Sequence, residues 1–518
     1  FVLFAVGSCS LYTLVGRDFF PTVDAGQIRL HVRGPAGIRI EESERNFARV
    51  EQFIRSQIPA VELNTIIDNI GIPNSGINMS LSDGSQISSA DGEILVSLKE
   101  DHHPTAGYMK TLRQELPRQF PHLQFWFQPA DIATQVLNFG IPAPIDVQIV
   151  GTHMTAAEDL KVAETLSKQI SAVPGAVDVH IHQVYKTPDL RIEPDRTMAS
   201  EMGVRQQDLA NSLLISLSSS GQTAPNFWLD PKRGVQYTVS AMTPQYKIDS
   251  IEALKNQPVA GVGSDGAQLL GNIATISRGL SPTNITHYNI APTFDIQANV
   301  QNSDLGSVAG KIQKLMDAAL KTAPPGTQIH LRGQVQSMNS SFTALGIGII
   351  GAVVLVYLLM VVNFQSWLDP LIILMALPGA ISGILWMLFA SRTTISVPSL
   401  MGSIMCVGVA TANSILMITF ANDYRKDHHE SDSTQAAFAA GVTRLRPVIM
   451  TALAMIIGML PMSLGLGEGG EQNAPLGRAV IGGLALATFA TLFFVPVVYS
   501  ALRTRAPHAV VEPELQEA

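Results

Sequence analysis

The sequence predicts a multidomain membrane protein: an α-helical transmembrane bundle joined to a large α+β block outside the membrane. Three observations carry this prediction. The last third of the 518-residue chain is nearly free of charge, although the chain as a whole is only 46% apolar. Within that third, the apolar stretches 342–362, 370–390, 397–421, 447–466 and 479–501 each run for about 20 residues, the helix length that crosses a hydrocarbon core. A further apolar piece, 1–15, opens the chain without an initiator Met and is separated from the others by ordinary globular sequence. It is too short and wrongly flanked for a complete signal peptide. The expectation is six spans, the first of them (1–16) truncated, and a chain that is a fragment.

At this length one domain is too few. A formal net charge of −8 and no basic stripe argue against nucleic acid as a partner. Cys9 and Cys406 both fall in apolar stretches and read as small membrane-buried residues, so no disulfide staples the soluble block. No GxxxxGKS/T pattern between a strand and a helix suggests an ATP site. No nucleophile–base constellation and no metal-ligand cluster suggests an enzyme, and no cofactor or resident metal is expected.

Orientation follows from the excess of Lys and Arg expected on cytoplasmic connections. The connection after the third of the five stretches has Arg425, Lys426, Arg444 and Arg446, and the tail has Arg503 and Arg505. The opposite connections have only Arg392 and Arg478. The tail is therefore read as cytoplasmic and the soluble block as external, in the periplasm of a bacterial inner membrane. Residues 432–442 (DSTQAAFAAGV) read as a short amphipathic helix lying on the membrane surface.

The soluble block reads as a repeat. Within 17–135, alternation marks a strand at 28–32, and Phe47, Val50, Phe53 and Ile54 mark one face of a helix at 40–58. Strands near 63–70 and 94–98, a helix at 105–120 and a strand at 123–127 complete a β-α-β-β-α-β unit of ferredoxin-like type. The second copy is split between 136–186 and 290–335, with strands at 145–150, 177–181, 293–300 and 328–332 and helices at 156–170 and 305–320. Residues 187–289 form an insertion with a helix at 206–216 and a strand at 235–240. The five spans occupy 336–505 and a tail 506–518.

Local motifs add a resemblance over essentially the whole chain. These are 18–26 (DFFPTVDAG), 34–37 (GPAG), 41–44 (EESE), 365–367 (QSW) with Pro370 and Pro378, 408–413 (GVATAN), 444–447 (RLRP) with Thr451, and 494–496 (FVP). Together they resemble the C-terminal half of a resistance-nodulation-division (RND) transporter of the hydrophobe/amphiphile efflux type. The resemblance implies porter subdomains with an inserted docking subdomain, and a homotrimer driven by protons. It also implies a periplasmic membrane-fusion adaptor, an outer-membrane channel, contact with membrane lipid, and small amphiphilic substrates. It places the proton-carrying aspartates in the other half.

An ionisable residue inside a membrane is a functional candidate, yet none of the five stretches holds an Asp, Glu, Lys or His; Asp369 is read as lying in a turn. Arg stays protonated and cannot relay protons. The resemblance sets Arg444, Thr451, Thr411 and Asn413 against the aspartates of the other half. Alternatively, the threonines bond to their own helix and the arginines snorkel. Many drug pumps of the family have Lys just before that Asn, where this chain has Ala412. A fixed ammonium there would hold nearby carboxylates in their charged form, so Ala412→Lys is expected to impair or retune transport.

By the same resemblance, Thr65, Ile67, Ile70 and Ile72, with the loop 73–92, match a deep binding pocket and its switch loop. Ile145, Val147 and Ile149 match an outer entrance cleft. Plain strand core is the alternative for these aliphatic positions. Met79 and the methionines of the spans could pass a soft metal but also serve as membrane filler. His102–His103 and His428–His429 read as solvated pairs. The readings left open are an amphiphile exporter, a heavy-metal cation exporter of the same superfamily, and a relative that handles lipids or proteins in the periplasm.

Overall fold

The structure is a computed structural model and describes residues 1–73, 84–138, 140–152, 155–261, 266–428, 432–467 and 469–503. Met79, His429, Arg505 and the tail 506–518 lie outside the described residues. By contact density the chain divides into two units: Phe1–Gln183 with Ile285–Ala518, and Val184–Asn284.

In the first unit, α1 (Val2–Cys9) and a turn of helix at Leu11–Leu14 form an apolar stretch shorter than the long helices described below. Strand β1 (Gln27–Arg33) alternates, as a half-buried strand must: Ile28, Leu30 and Val32 are buried in an apolar cluster, and Gln27, Arg29, His31 and Arg33 face the other way. Helix α2 (Ile40–Gln57) supplies Phe47, Val50 and Ile54 to that cluster. Then come β2 (Leu63–Ile70), β3 (Asp91–Leu98), α3 (Thr105–Gln119) with buried Leu112 and Leu116, and β4 (Gln124–Gln128). The sheet is antiparallel in the order β2-β3-β1-β4.

The second module repeats this order. Its elements are β5 (Ile145–Val150), α4 (Ala156–Ser171), β6 (Ala176–Ile181), β7 (Thr286–Tyr288), β8 (Ala291–Val300), α5 (Leu305–Leu320) and β9 (Gln328–Gly333). β8 pairs with β5, which pairs with β9, and β6 pairs with β8. The path β6-β8-β5-β9 thus matches β2-β3-β1-β4. The short β7 pairs with the start of β8, so 286–288, assigned from sequence to the insertion, belong to this sheet. A tight hairpin through Asn289 and Ile290 brings β7 back along β8.

The segment 18–26 explains its own composition. The Asp24 carboxylate accepts from the N–H and hydroxyl of Thr105, each at 2.8 Å, at the start of α3. Asp18 accepts from the Leu305 N–H at 2.7 Å, at the start of α5. Both satisfy helix N–H groups that otherwise lack partners.

Among the described residues, five helical segments are long and apolar enough to cross a membrane. They are α6 (Gln334–Phe364); α7 (Leu368–Leu374) with α8 (Leu377–Ala390); α9 (Val397–Asp427); α10 (Ser433–Leu464); and α11 (Gly470–Phe489), which continues through a π-helical turn at Ala490–Phe494 into α12 (Val495–Leu502). The short surface helix expected from sequence at 432–442 does not form as a separate element. α10 runs unbroken through it, and Ala437 and Ala440 are buried with Ile372, Ile418 and Tyr499. Its small residues let it pack on neighbouring helices instead of lying in the interface. Arg478 lies inside α11, where its guanidinium donates to the Ser463 carbonyl and the Thr393 hydroxyl.

The second unit, Val184–Asn284, is built on an antiparallel pair, Thr187–Pro194 with Ala274–Ser281. Ala199, Val204, Leu209, Leu254, Leu270 and Ile273 form its core. A hairpin of Asn226–Leu229 and Gln236–Val239 is exposed along its length.

Candidate functional site

The helix-free faces of the two sheets carry an unusual load of buried polar groups. Strand pairing sets Asn69, Glu93, His31 and Trp126 in one row across the first sheet. It sets His180, Gln297, Asp146 and Arg332 in one row across the second. The two rows join where β4 meets β6: the Trp126 ring stacks on His31 and on His180, each with centroids 4.0 Å apart. Arg33 lies over the same indole, 4.8 Å from its centroid, and donates to the His182 carbonyl at 3.1 Å. Below this, Arg113 forks onto Asp178 and Asn299 donates to the Phe127 carbonyl, tying the sheets together.

Electrostatics along the row are uneven. Burial alone would raise the Asp91 carboxyl, but His31 and Arg33 outweigh it and hold the group at about 2. Burial pushes His180 down to about 3 and lowers His31 and His182 as well, so these imidazoles are neutral at ordinary pH. Asp146 is raised well above the usual carboxylate value, first by burial and then by Asp295. Gln148 bridges Arg332 and Asp295. Several buried atoms of the row lack any hydrogen-bond partner: His31 Nδ1, His180 Nε2, Trp126 Nε1, Gln297 Oε1 and Asp146 Oδ1. Native interiors leave few such groups, and each calls for an explanation such as bound water, an ion or a ligand. Among the described residues, no three His, Cys, Asp or Glu stand close enough to hold a metal ion.

The positions expected from sequence are scattered about this row. Ile145, Val147 and Ile149 are fully buried on the opposite, helix-facing side of β5. They are strand core, because alternation sends Asp146 and Gln148 to the polar face, and they do not line an entrance cleft. Ile70 packs on the first module's core. Thr65 is exposed, and Ile67 and Ile72 are 57% and 52% exposed, on and just beyond the edge strand β2. The four therefore do not form one pocket wall among the described residues.

In the bundle, Thr411 donates to the carbonyls of Val407 and Gly408, and Thr451 to that of Val448. Each threonine bonds to its own helix. Asn413 is buried with an unpartnered Nδ2, and Arg444 has a buried, unpartnered Nε and lies over the Phe420 ring. No hydrogen bond joins any two of these four residues among those described.

A second polar cluster lies within the bundle. Asp369 lies in α7, not in a turn, and is almost fully buried. Its Oδ2 accepts from Arg503 at 3.2 Å and from Asn422 at 3.3 Å, and the Tyr499 hydroxyl donates to Asn422 at 2.7 Å. Arg425 donates to the Arg503 carbonyl. Neither cluster shows as an apolar period. The signal for the sheet row was the polar half of the strand alternation (Arg29, His31, Arg33; Asp91, Glu93; Asp146, Gln148).

Comparison with known proteins places this architecture. The chain is 26% identical over 497 residues to the cation efflux system protein CzcA of Alcaligenes sp. (strain CT14), covering 94% of the chain and 45% of that protein. It is 26% identical over 494 residues to the multidrug resistance protein MdtC of Klebsiella pneumoniae, with the same two coverages. A crystal structure of a heavy metal efflux pump superposes with a TM-score of 0.81 at 26% identity, over 97% of this chain and 50% of the pump. The chain thus spans about half the length of the curated relatives it matches. The model of the AcrB/AcrD/AcrF family matches residues 1–503, and the chain belongs to that family of RND efflux transporters.

Proposed function

We propose that this chain is the C-terminal half of an inner-membrane RND permease that exports heavy-metal cations by antiport with protons. The likeness to CzcA and to a heavy metal efflux pump carries this reading and favours it over amphiphile export. The buried polar row fits it chemically. Neutral imidazoles with free nitrogens, next to a carboxylate, are ligands for borderline divalent cations. With no three-ligand set among the described residues, the row acts as a surface of transit whose coordination is completed by water or by the other half. In the same reading, α1 belongs to a sixth span and the two modules are ferredoxin-like porter subdomains. The unit at Val184–Asn284 is the docking subdomain, with partners as in a homotrimer bound to an adaptor and an outer-membrane channel. Arg444, Asn413, Thr411 and Thr451 support proton-carrying aspartates of the other half.

Amphiphile export is the second reading, favoured by the equal identity to MdtC and by exposed Ile67 and Ile72. The test is expression of the full-length protein in a strain stripped of its exporters. Cation export predicts raised tolerance to Zn, Co or Cd and none to dyes or bile salts. The reverse pattern would replace the first reading with the second.

A further inference from the structure

The membrane part contains one carboxylate that is buried among the described residues of its long apolar helices, Asp369. It and its partner are only half satisfied: Asp369 Oδ1 and Arg503 Nε are both buried without a hydrogen-bond partner. A buried ion pair gives back little net stability after desolvation, and an incompletely paired network gives less. Stability alone therefore does not explain the arrangement. An ionisable group at such a place is instead a candidate for function.

Its position suggests which function. Asp369 comes from α7, Asn422 and Arg425 from α9, and Tyr499 and Arg503 from α12 and its end. Ser433, at the start of α10, donates to the Ser500 carbonyl of the same turn. The cluster therefore ties together helix ends that carry Arg425, Lys426 and Arg503. Among these elements, α12 is the one set apart from the rest of its own helix by the π-helical turn Ala490–Phe494. Within that turn Thr491 is fully buried and shares a hydrogen bond of 3.0 Å with Ser414 of α9. A π turn holds one residue more than an α turn, and such turns gather at functional places. Moving that residue out of the turn would shift everything after it by about 100° and 1.5 Å. Tyr499 would then leave Asn422, and Arg503 would leave Asp369.

We propose that Asp369 and Arg503, with Asn422 and Tyr499, form a latch between α7, α9 and α12 that opens and re-forms in each transport cycle, the π-helical turn taking up the movement. The latch rests on the reading of the protein as a transporter. Its ion pair is broken and remade without any covalent or redox step.

The test leaves the latch residues intact. Leu368 and Leu502 flank them and are exposed. In the full-length protein with native cysteines replaced, Leu368→Cys and Leu502→Cys are joined by reducible thiol spacers of graded length, and Zn(II) and dye efflux from proteoliposomes is measured. The latch predicts that the shortest spacer that reacts lowers efflux about tenfold or more, as locking a gating element does, and that reduction restores it. Unchanged efflux in the locked protein overturns the proposal. If the unlocked protein moves neither Zn(II) nor dye, the transport reading fails instead. The latch is then decided by distances between nitroxides at 368 and 502 with and without a pH gradient: two populations support it and a single fixed distance sinks it. In the pair Asp369→Leu with Arg503→Met, apolar groups replace the charges; efflux retained in that stably folded variant would also reject the latch.

Discussion

At the scale of single residues, the sheet row is governed by the cost of burying charge. His180 has its pKa pushed down to about 3 by burial. In an unfolded chain it takes up a proton below about 6.5. Between these values the unfolded state binds more protons, so stability is full above pH 6.5 and declines as the pH falls towards 3. Asp91, held at about 2, adds a second loss that begins near the ordinary carboxylate value and runs down to about 2. We expect the melting temperature of the purified protein to fall on going from pH 7 to pH 4.5. His180→Phe, which keeps a ring against Trp126, should flatten part of that fall; an unaltered slope would show that His180 is not the group responsible. The row also shows what could be read from sequence. The alternation of β1 and β5 is visible in the residue order, and its polar half, not its aliphatic half, marks the row. Ile145, Val147 and Ile149 proved to be core because a strand sends neighbouring side chains to opposite faces. That Trp126 would stack between His31 and His180 was not legible, because it depends on β4 and β6 meeting across a long separation in sequence.

Among elements, the β-α-β-β-α-β order and the long helices were legible because periods of 2.0 and 3.6 residues report directly on burial. Helix ends were less so. The sequence stopped one helix at 421 and began the next at 447 because charge rose between them, but charge marks the membrane boundary and not the helix boundary. α9 and α10 both run past it. Contact between helices was equally hidden, since it depends on small residues that carry no apolar signal. α8 and α11 come together at Gly383 and Gly482: a Cβ added to Gly482 would lie 2.2 Å from Met387 Cβ and 2.5 Å from the Gly383 carbonyl oxygen. Close approach of this kind is how membrane helices gain packing energy where lipid offers no hydrophobic drive. Gly482→Ala should therefore force the helices apart and destabilise the bundle by about 1–3 kcal/mol, the usual cost of overpacking. Thermal unfolding in detergent measures this, and a melting temperature equal to that of the parent would refute the contact.

Over the whole molecule, the second module and the bundle meet at a short stretch of backbone. The Ile395 N–H donates to the Gly16 carbonyl, the Asp18 N–H to the Ile395 carbonyl and the Val397 N–H to the Phe19 carbonyl. On its other side the same stretch is bound to the start of α5. The Arg17 N–H donates to the Asp304 carboxylate, the Gly306 N–H to the Arg17 carbonyl and the Leu305 N–H to Asp18. Gly16 has φ +38°, and a Cβ there would meet the Asp304 side chain at 2.8 Å, so this position admits glycine alone. The sequence showed the motif at 18–26 but not its use, because each partner lies far along the chain. If the proposed transport function holds, two glycines inserted between Arg17 and Asp18 should leave both parts folded while lowering efflux by the full-length protein. Efflux at the parent rate in that insertion variant would argue against any coupling role for the stretch.

The joint also bears on how force travels. A hinge dissipates motion; a segment hydrogen-bonded along both edges transmits it, like a stiff axle between two wheels. A tilt of α5 would pull on the connection between α8 and α9 through these bonds, and a shift of that connection would pull on α5. Movement of the long apolar helices would then reach the second module without a flexible intermediate, and the gearing between the two would be set by these few peptide bonds.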